Sequence, residues 1–306
     1  MRLAAALLLS ILVSVVVGCG GSSPAADGAE TSSKPPAGSL EALWRAPGAD
    51  VAIVPGTSDY EPGDNRVSFL IVDKQSRLIT TPTAQVWVSR GLKQAPFVKT
   101  IARSEPIGVP GGATADAGDI YVAHVRLAKP GKYWLLADPV GAKKPIQAIG
   151  NLVVRAQSLA PFAGDRAIAS RTPTLASTGG DLKKLSTSKR PDKELYRVSV
   201  ADALKAKKPF VVAFATPLYC QSRTCGPVVD VVSAVRKQYA DRRVPFIHVE
   251  IYEGNDPANG TNRWVDQWKL PTEPFTFVVD RKGVIRARFE GAFSTRELAA
   301  AVRKVS

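Results

Sequence analysis

The chain has 306 residues, 45% of them hydrophobic, and a formal net charge of +14 from 41 basic and 27 acidic side chains. Three cysteines are too few for a disulfide-rich scaffold, and the two histidines, His124 and His248, lie too far apart in sequence to predict a metal cluster. The basic residues form no long blocks with interleaved aromatic residues, so a nucleic-acid partner is not expected. A surface with this excess of positive charge suits anionic lipid or an acidic partner; the alternative is a basic surface that is only solvated.

The first 18 residues have the pattern of a secretion signal. Arg2 precedes an apolar run, Leu3 to Val17, that is shorter than a typical membrane span. The following Val16-Val17-Gly18-Cys19 resembles a bacterial lipobox, in which the cysteine is acylated and becomes the first residue of the mature protein. We therefore predict a lipid anchor on Cys19, at the extracytoplasmic face of the cell membrane, and a flexible tether over 19–44. The plainer alternative is a cleaved signal followed by an incidental cysteine.

The composition of residues 45–156 predicts an all-β domain. Its apolar segments are rich in Val, Ile, Phe, Tyr and Trp, and Gly, Pro, Asp and Asn separate them at a spacing typical of a sandwich. These segments are 50–54, 66–73, 84–90, 96–103, 119–127, 131–138 and 146–155. The turn Lys129-Pro130-Gly131-Lys132-Tyr133-Trp134 is similar to one found in immunoglobulin-like domains. We therefore predict an immunoglobulin-like β-sandwich.

The rest of the chain predicts an α/β domain over 196–306, reached through a linker over 157–195 that is broken by Pro and Gly. We predict helices over 199–207, 226–240, 260–268 and 294–305, and strands over 209–215, 244–251, 275–280 and 284–290. Ser294 and Glu297 form a capping box at the start of the last helix. Helices that alternate with strands and then a hairpin predict an α/β sandwich around a mixed sheet.

Two cysteines stand between the first strand and the first long helix of this domain. If Cys19 carries lipid, Cys220 and Cys225 remain as one pair in an exported protein, where disulfides persist. Pro227 favours a position for Cys225 just before or within the first helical turn, and this geometry allows a disulfide with Cys220 in the preceding turn. The helix N-terminus and the charge of Arg223 both favour a thiolate.

This stretch resembles the thioredoxin-like superfamily over roughly 195–306. The matching segments are Lys208 to Phe214, the Cys220/Cys225 turn, Pro227, and Leu270 to Gly283. The resemblance implies that Pro274 carries a cis bond and lies against the active cysteines. The chain departs from the family pattern in having four residues between the cysteines, Tyr219 in place of a tryptophan, and Ala213 and Phe214 where the family has a buried acid.

The resemblance implies thiol–disulfide exchange with a protein partner and needs no cofactor. Cys220 would attack, Cys225 would resolve the mixed disulfide, and Pro274 would shape the groove, with Thr216, Tyr219 and Arg223 in supporting roles. One alternative is peroxide reduction, since some peroxiredoxins have the same cysteine spacing and a Thr-Pro ahead of the first cysteine, as in Thr216-Pro217. Another alternative is a non-catalytic binding module in which a Cys220–Cys225 disulfide serves only as a structural staple that stabilises the fold. A copper carrier is a minor variant of this alternative.

Overall fold

A computed structural model describes residues 34–45, 51–142, 147–220, 224–242 and 244–306. The predicted signal segment, Cys19 and Arg223 lie outside the described residues. Among the helices that are described, none is both long and apolar enough to cross a lipid bilayer.

Seven strands form the first sheet, and each corresponds to one of the predicted segments. They are β1 (Val51–Pro55), β2 (Gly63–Asp73), β3 (Thr83–Ser89), β4 (Val98–Pro106), β5 (Asp119–Leu127), β6 (Gly131–Pro139) and β7 (Ala148–Val154). The sheet follows the order β1-β2-β5-β4-β3-β6-β7 and closes through a parallel pairing of Ala52 in β1 with Ile149 in β7. The predicted all-β part is confirmed, and its strands close into a barrel because β1 pairs on both sides, a closure that the predicted immunoglobulin-like sandwich did not include.

The strands of the barrel bury one face each. In β3, Ala84, Val86 and Val88 are fully buried, whereas Gln85 and Trp87 between them are partly exposed. Successive side chains of a strand point to opposite faces, so this alternation places the first set inside the barrel. Alternate residues of β2 and β5, such as Val67 and Phe69 or Tyr121 and Ala123, complete a single apolar core within the barrel.

A short helix packs on the outside of the barrel. Helix α1 (Leu40–Trp44) is capped by Ser39, whose hydroxyl accepts a hydrogen bond from the Ala42 N–H. Leu40 is fully buried, and its N–H donates to the Gln94 carbonyl. This part of the predicted tether over 19–44 is therefore folded.

A second, four-stranded sheet carries the cysteines. Its strands β8 (Phe210–Phe214), β9 (Phe246–Val249), β10 (Phe275–Val279) and β11 (Ile285–Glu290) lie in the order β11-β10-β8-β9. β8 and β9 are parallel and the other neighbours are antiparallel, which confirms the predicted mixed sheet. The helices of this α/β part are α2 (Val200–Lys205), α3 (Cys225–Gln238), α4 (Arg263–Gln267) and α5 (Thr295–Arg303).

The second sheet is covered on both faces. Val211 and Ala213 of β8 share a core with α3 and α5, and the alternate residues Val212 and Phe214 share another with Trp268 beyond α4. Every residue of β8, β9 and β10 is therefore buried, which explains why β8 reads as an unbroken apolar run.

The segment 157–195 connects the two sheets and packs on the α/β part. Leu185 and Leu195 are buried in the core beside α3, and the Leu175 N–H donates to the Tyr196 carbonyl. Two short 3₁₀ turns, Leu182–Lys184 and Lys193–Tyr196, begin at Asp181 and Asp192, whose side chains accept backbone hydrogen bonds. The connection is thus ordered by its apolar contacts and its turns.

The barrel and the α/β part meet within one compact unit, Pro35–Ser306, across a junction of buried charges. The Arg288 guanidinium of β11 lies 3.1 Å from the Asp59 carboxylate and also donates to the Asp59 carbonyl. Glu290 accepts hydrogen bonds from the Ser58 N–H and hydroxyl, at 3.0 and 2.7 Å. Arg66 of β2 pairs with Glu297 at 2.8 Å. Such pairs tolerate burial because each charge has a partner, and they hold the two parts in one arrangement.

Candidate functional site

The cysteine pair lies where β8 ends and α3 begins. β8 ends at Phe214, a turn follows, and α3 begins at Cys225 itself, with Pro227 in its first turn. The Cys225 N–H donates a hydrogen bond to the Cys220 sulfur at 3.3 Å. Proline is accepted at this position because the first N–H groups of a helix have no intrahelical partner. The local sequence therefore places both sulfurs at the N-terminus of α3, as predicted.

Cys220 and Cys225 are not joined by a disulfide in this structure, so it represents a dithiol form. Cys220 is 8% exposed and Cys225 is fully buried. The predicted Cys220–Cys225 disulfide is not formed here and stays a prediction for the oxidised protein. The hydrogen bond from the Cys225 N–H to the Cys220 sulfur already holds the two residues close together.

The environments of the two thiols differ. The pKa of the Cys225 thiol is raised well above its ordinary value, first because it is buried and then because the Cys220 sulfur lies beside it. The backbone N–H that Cys225 donates to Cys220 instead favours negative charge on the Cys220 sulfur. Cys220 is therefore better placed to act as the thiolate, and Cys225 as the thiol that is held protonated.

The loop before β10 contains Glu273 and Pro274 and brings the Glu273 carboxylate to this pair. The Glu273–Pro274 bond is cis, as predicted. The two sulfurs and a carboxylate oxygen of Glu273 all lie within 4.8 Å of one another. Sequence reasoning missed Glu273, although it directly precedes the proline that the resemblance placed against the cysteines.

Glu273 is a partly buried acid beside the two sulfurs. Its pKa is raised from 4.5 to about 7, mainly by burial and then by the negative charge of the Cys220 sulfur and of Glu250. Its Oε2 atom is buried and has no hydrogen-bond partner among the described residues. A carboxyl group in this state exchanges protons near neutral pH.

A second buried acid, Glu250, lies beyond β9. Burial raises its pKa from 4.5 to about 7. Its Oε1 atom accepts hydrogen bonds from the Thr187 N–H at 2.6 Å and the Thr187 hydroxyl at 2.9 Å. That hydroxyl oxygen also accepts from the Leu218 N–H at 3.1 Å, so the connecting segment and Glu250 together support the turn before Cys220.

The predicted supporting residues have different surroundings. Thr216 is fully buried, and its side chain lowers the pKa of Glu250 while its backbone lowers that of Cys225. Tyr219 is 38% exposed and meets Tyr252 edge-on, with ring centroids 6.3 Å apart. The role predicted for Arg223 falls on a residue outside the described ranges.

Histidine does not contribute to the site. His248 is buried in β9, where Nδ1 shares a hydrogen bond with the Tyr196 hydroxyl at 2.7 Å and Nε2 lies 3.0 Å from the Ala215 carbonyl oxygen. Burial lowers its pKa to about 4. Cys220, Cys225 and Glu273 are the described residues whose donor atoms could meet around a cation, and three donors are one short of the four in a structural zinc site.

No protein-family model matches the chain, and no curated protein matches its sequence. Among solved structures, the chain is similar to a thiol:disulfide interchange protein of the thioredoxin family from Chlorobium tepidum, at 19% identity and a TM-score of 0.28, with 45% of this chain and 99% of that one covered.

Two further solved structures correspond to β-rich proteins. The PKD domain of human VPS10 domain-containing receptor SorCS2 gives 16% identity and a TM-score of 0.20 over 50% of this chain and 99% of that one. The Escherichia coli adhesin FdeC gives 16% and 0.18 over 41% of this chain and 36% of that one. Similarities this weak establish no function, which has to be argued from the site itself.

Proposed function

We propose that this protein is a thiol–disulfide oxidoreductase that uses Cys220 as the attacking thiolate and Cys225 as the resolving thiol. The observation that supports this proposal is the contact of two reduced cysteines in different environments at the N-terminus of α3. A pair that served only as a staple would need no such asymmetry, and closing so short a loop would stabilise the fold by only about 2 kcal/mol.

The proposed reaction proceeds in two exchanges. The Cys220 thiolate attacks one sulfur of a substrate disulfide, a mixed disulfide forms, and the first substrate thiolate leaves. Cys225 then loses its proton and attacks the Cys220 sulfur, so that a Cys220–Cys225 disulfide forms and the second substrate thiolate leaves. The protein dithiol is oxidised by two electrons and the substrate is reduced by two.

Deprotonation of Cys225 is the difficult step, because burial opposes a thiolate there. Glu273 is the nearby base that supports this step, since its carboxylate reaches both sulfurs and its pKa of about 7 lies near neutral pH. Protonation of Glu273 also removes the negative charge that would otherwise repel the new thiolate.

The setting of this reaction is also proposed. The lipobox-like Val16-Val17-Gly18-Cys19 supports an extracytoplasmic protein anchored to the cell membrane through lipid on Cys19. Its partner would be an exported protein that carries a thiol or a disulfide. Disulfides persist in the proposed extracytoplasmic setting, and they are the substrates of thiol–disulfide exchange.

Alkylation and trapping test the proposed roles. In the reduced protein, iodoacetamide should label Cys220 faster than Cys225 at neutral pH, as read for each residue by mass spectrometry. Cys225→Ser should accumulate mixed disulfides through Cys220, whereas the matched Cys220→Ser should accumulate none. Glu273→Gln should slow the second exchange but not the first, because it removes a carboxylate that opposes negative charge on the Cys220 sulfur.

Two results would overturn the proposal. Equal, slow labelling of both cysteines with midpoints at or above the ordinary thiol pKa of about 8.5 would favour the structural staple. Fast oxidation of Cys220 by a hydroperoxide, together with no reaction with any disulfide, would favour the peroxidase.

A further inference from the structure

The barrel has a side that faces away from the α/β part. Arg66 of β2 makes a contact across the junction, where it pairs with Glu297 of α5. In the closed order β1-β2-β5-β4-β3-β6-β7, the strands β3 and β6 are the farthest from β2 in either direction around the barrel. Their outward side chains therefore lie on the side of the barrel opposite this contact.

Two partly exposed tryptophans stand at the centre of this side. Trp87 of β3 and Trp134 of β6 each lie between two residues of the barrel core, so both side chains point outward. Trp134 pairs with Ser89, two residues beyond Trp87, which makes the two tryptophans diagonal neighbours. Ile101 of β4 and Val153 of β7 are 45% and 53% exposed and extend the apolar surface to either side.

Each tryptophan has an exposed lysine beside it. Lys99 of β4 pairs with Trp87, and its Nζ atom lies 5.9 Å from the centroid of the Trp87 ring. The Nζ atom of Lys132 lies 4.3 Å from the centroid of the Trp134 ring. Tryptophan and lysine are both favoured at the boundary between lipid and water, where an apolar side chain can carry a polar end. We call this set of outward side chains the β3–β6 face: Trp87, Lys99, Ile101, Lys132, Trp134 and Val153.

The β3–β6 face lies in a region of positive charge. Residues 83–101 and 128–136, which include β3, the first six residues of β6 and the adjoining turns, carry five basic side chains and no acidic ones. The acid in the outward rows of the two strands is Asp138, at the far end of β6. Each basic side chain near an anionic lipid surface strengthens binding about fivefold, so this region is complementary to anionic lipid. The five basic residues are Arg90, Lys93, Lys99, Lys129 and Lys132.

The chain that precedes the barrel leads to the same region. Helix α1 packs on the hairpin between β3 and β4, where the Leu40 N–H donates to the Gln94 carbonyl at 3.0 Å. The described chain begins at Lys34, and Cys19 lies only 15 residues earlier in the sequence. Fifteen residues span at most about 50 Å when fully extended. A lipid on Cys19 would therefore keep this hairpin close to the bilayer.

We propose that the β3–β6 face docks on an anionic membrane surface, with Trp87 and Trp134 among the lipid headgroups and the lysines on the lipid phosphates. An acidic protein would also attract the lysines, but the partly exposed tryptophans and the short chain to the predicted lipid anchor both favour a bilayer. Docking would hold the α/β part on the side of the barrel away from the membrane, where exported proteins reach the cysteines. This inference extends the proposed setting, and it requires neither lipid on Cys19 nor the chemistry of the cysteines.

Vesicle binding tests the face without the anchor. The compact unit Pro35–Ser306, which contains the barrel and the α/β part, is mixed with vesicles of phosphatidylcholine alone or of phosphatidylcholine and phosphatidylglycerol in equal parts. Sedimentation of the vesicles measures the partition coefficient of the protein. This unit should bind the anionic vesicles at least about tenfold more tightly than the neutral ones. Added salt should weaken the binding, because it screens the lysines.

Charge reversal tests which surface binds. The double variant Lys99→Glu/Lys132→Glu should lower partition into the anionic vesicles at least about 100-fold, since each lysine is replaced by an acid. The matched control Lys208→Glu/Lys282→Glu changes the net charge by the same amount at two exposed lysines of the α/β part. It should change the partition coefficient by less than about threefold, because salt screens charges that lie far from the lipid.

Tryptophan fluorescence tests whether the face enters the lipid. Lipids with brominated acyl chains quench a tryptophan that contacts them, so the fluorescence of the wild type should fall when it binds. Trp87→Phe/Trp134→Phe should lose most of this quenching. Trp264→Phe, which removes a partly exposed tryptophan of the α/β part, should keep it. Thermal unfolding of each variant checks that it folds.

The possible outcomes decide the docking proposal separately from the proposed function. Docking is wrong if the wild type binds anionic and neutral vesicles equally, or if the two double lysine variants lose the same affinity. Binding without any quenching would also overturn it and would favour an acidic protein as the partner of this face. None of these results bears on thiol–disulfide exchange, which the alkylation and trapping experiments test by themselves.

Discussion

Buried or partly buried acidic side chains occur in two regions, the cysteine site and the junction between the barrel and the α/β part. The two regions differ in the partners that these acids have. At the junction, Asp59 pairs with Arg288, and Glu105 receives the Arg296 guanidinium and the Ser294 hydroxyl. At the cysteine site, Glu250 and Glu273 each keep one carboxylate oxygen without a hydrogen-bond partner among the described residues. The acids paired with a cation stabilise an arrangement, whereas Glu250 and Glu273 have pKa values near neutrality, and Glu273 lies beside the sulfurs, where it can exchange a proton.

The largest effect is expected where the junction loses its central cation. Arg288→Met should lower the free energy of unfolding by about 3–5 kcal/mol, because the Asp59 carboxylate is 1% exposed and would lose its closest cation. Urea unfolding measures the change. The matched control on the same strand, Arg286→Met, removes an exposed partner of Asp280 and should cost less than about 1 kcal/mol. Equal losses for both variants would contradict the structural role given to the junction.

Glu250 should make stability fall as pH rises through weakly acidic values. Its folded-state pKa of about 7 lies above the ordinary 4.5, so between these values the folded protein binds more protons than the unfolded chain. The stabilisation is complete below about pH 4.5 and is lost by about pH 7, a difference on the order of 3 kcal/mol. Glu250→Gln, which keeps an acceptor for Thr187, should flatten this dependence in urea unfolding between pH 4.5 and 7. An unchanged slope would show that Glu250 ionises normally.

The smallest expected loss of stability comes from replacing either of two helix N-caps that share the same local structure. Ser199 and Ser294 each form a capping box, with Asp202 and Glu297 respectively. Ser199→Ala should cost about 1 kcal/mol. Ser294→Ala should cost about 1 kcal/mol more, because the Ser294 hydroxyl donates to the buried Glu105 carboxylate at 2.6 Å, whereas the Ser199 hydroxyl donates to the exposed Asp202 carboxylate at 2.7 Å. Equal losses in thermal unfolding would show that this bond across the junction contributes little.

Sequence reasoning found the strands and the cysteine site where the signal is local. All seven strands of the barrel were predicted, because each is a short segment rich in Val, Ile, Phe, Tyr and Trp and bounded by Gly, Pro, Asp or Asn. Closure of the barrel was not predicted, since it depends on the pairing of β1 with β7, residues that lie far apart in sequence. The cis bond at Pro274 was predicted from the resemblance and is confirmed.

The roles of the buried acids needed the tertiary structure. Glu250 and Glu273 look like ordinary acidic residues in sequence, and their pKa values change only because burial removes water from both carboxyl groups. Glu273 reaches the cysteines because β10 pairs with β8, which brings the loop before β10 to the end of β8 that precedes them.

By itself, the sequence determined the strand segments, the mixed sheet and the position of two cysteines at the start of a helix, because these follow from neighbouring residues. The tertiary structure decided which acids meet the sulfurs, which charges are paired and which side of the barrel faces away from the α/β part. These features depend on contacts such as Ser58 with Glu290, which lie 232 residues apart. No local pattern encodes such a contact, since it exists only after both sheets have formed and packed.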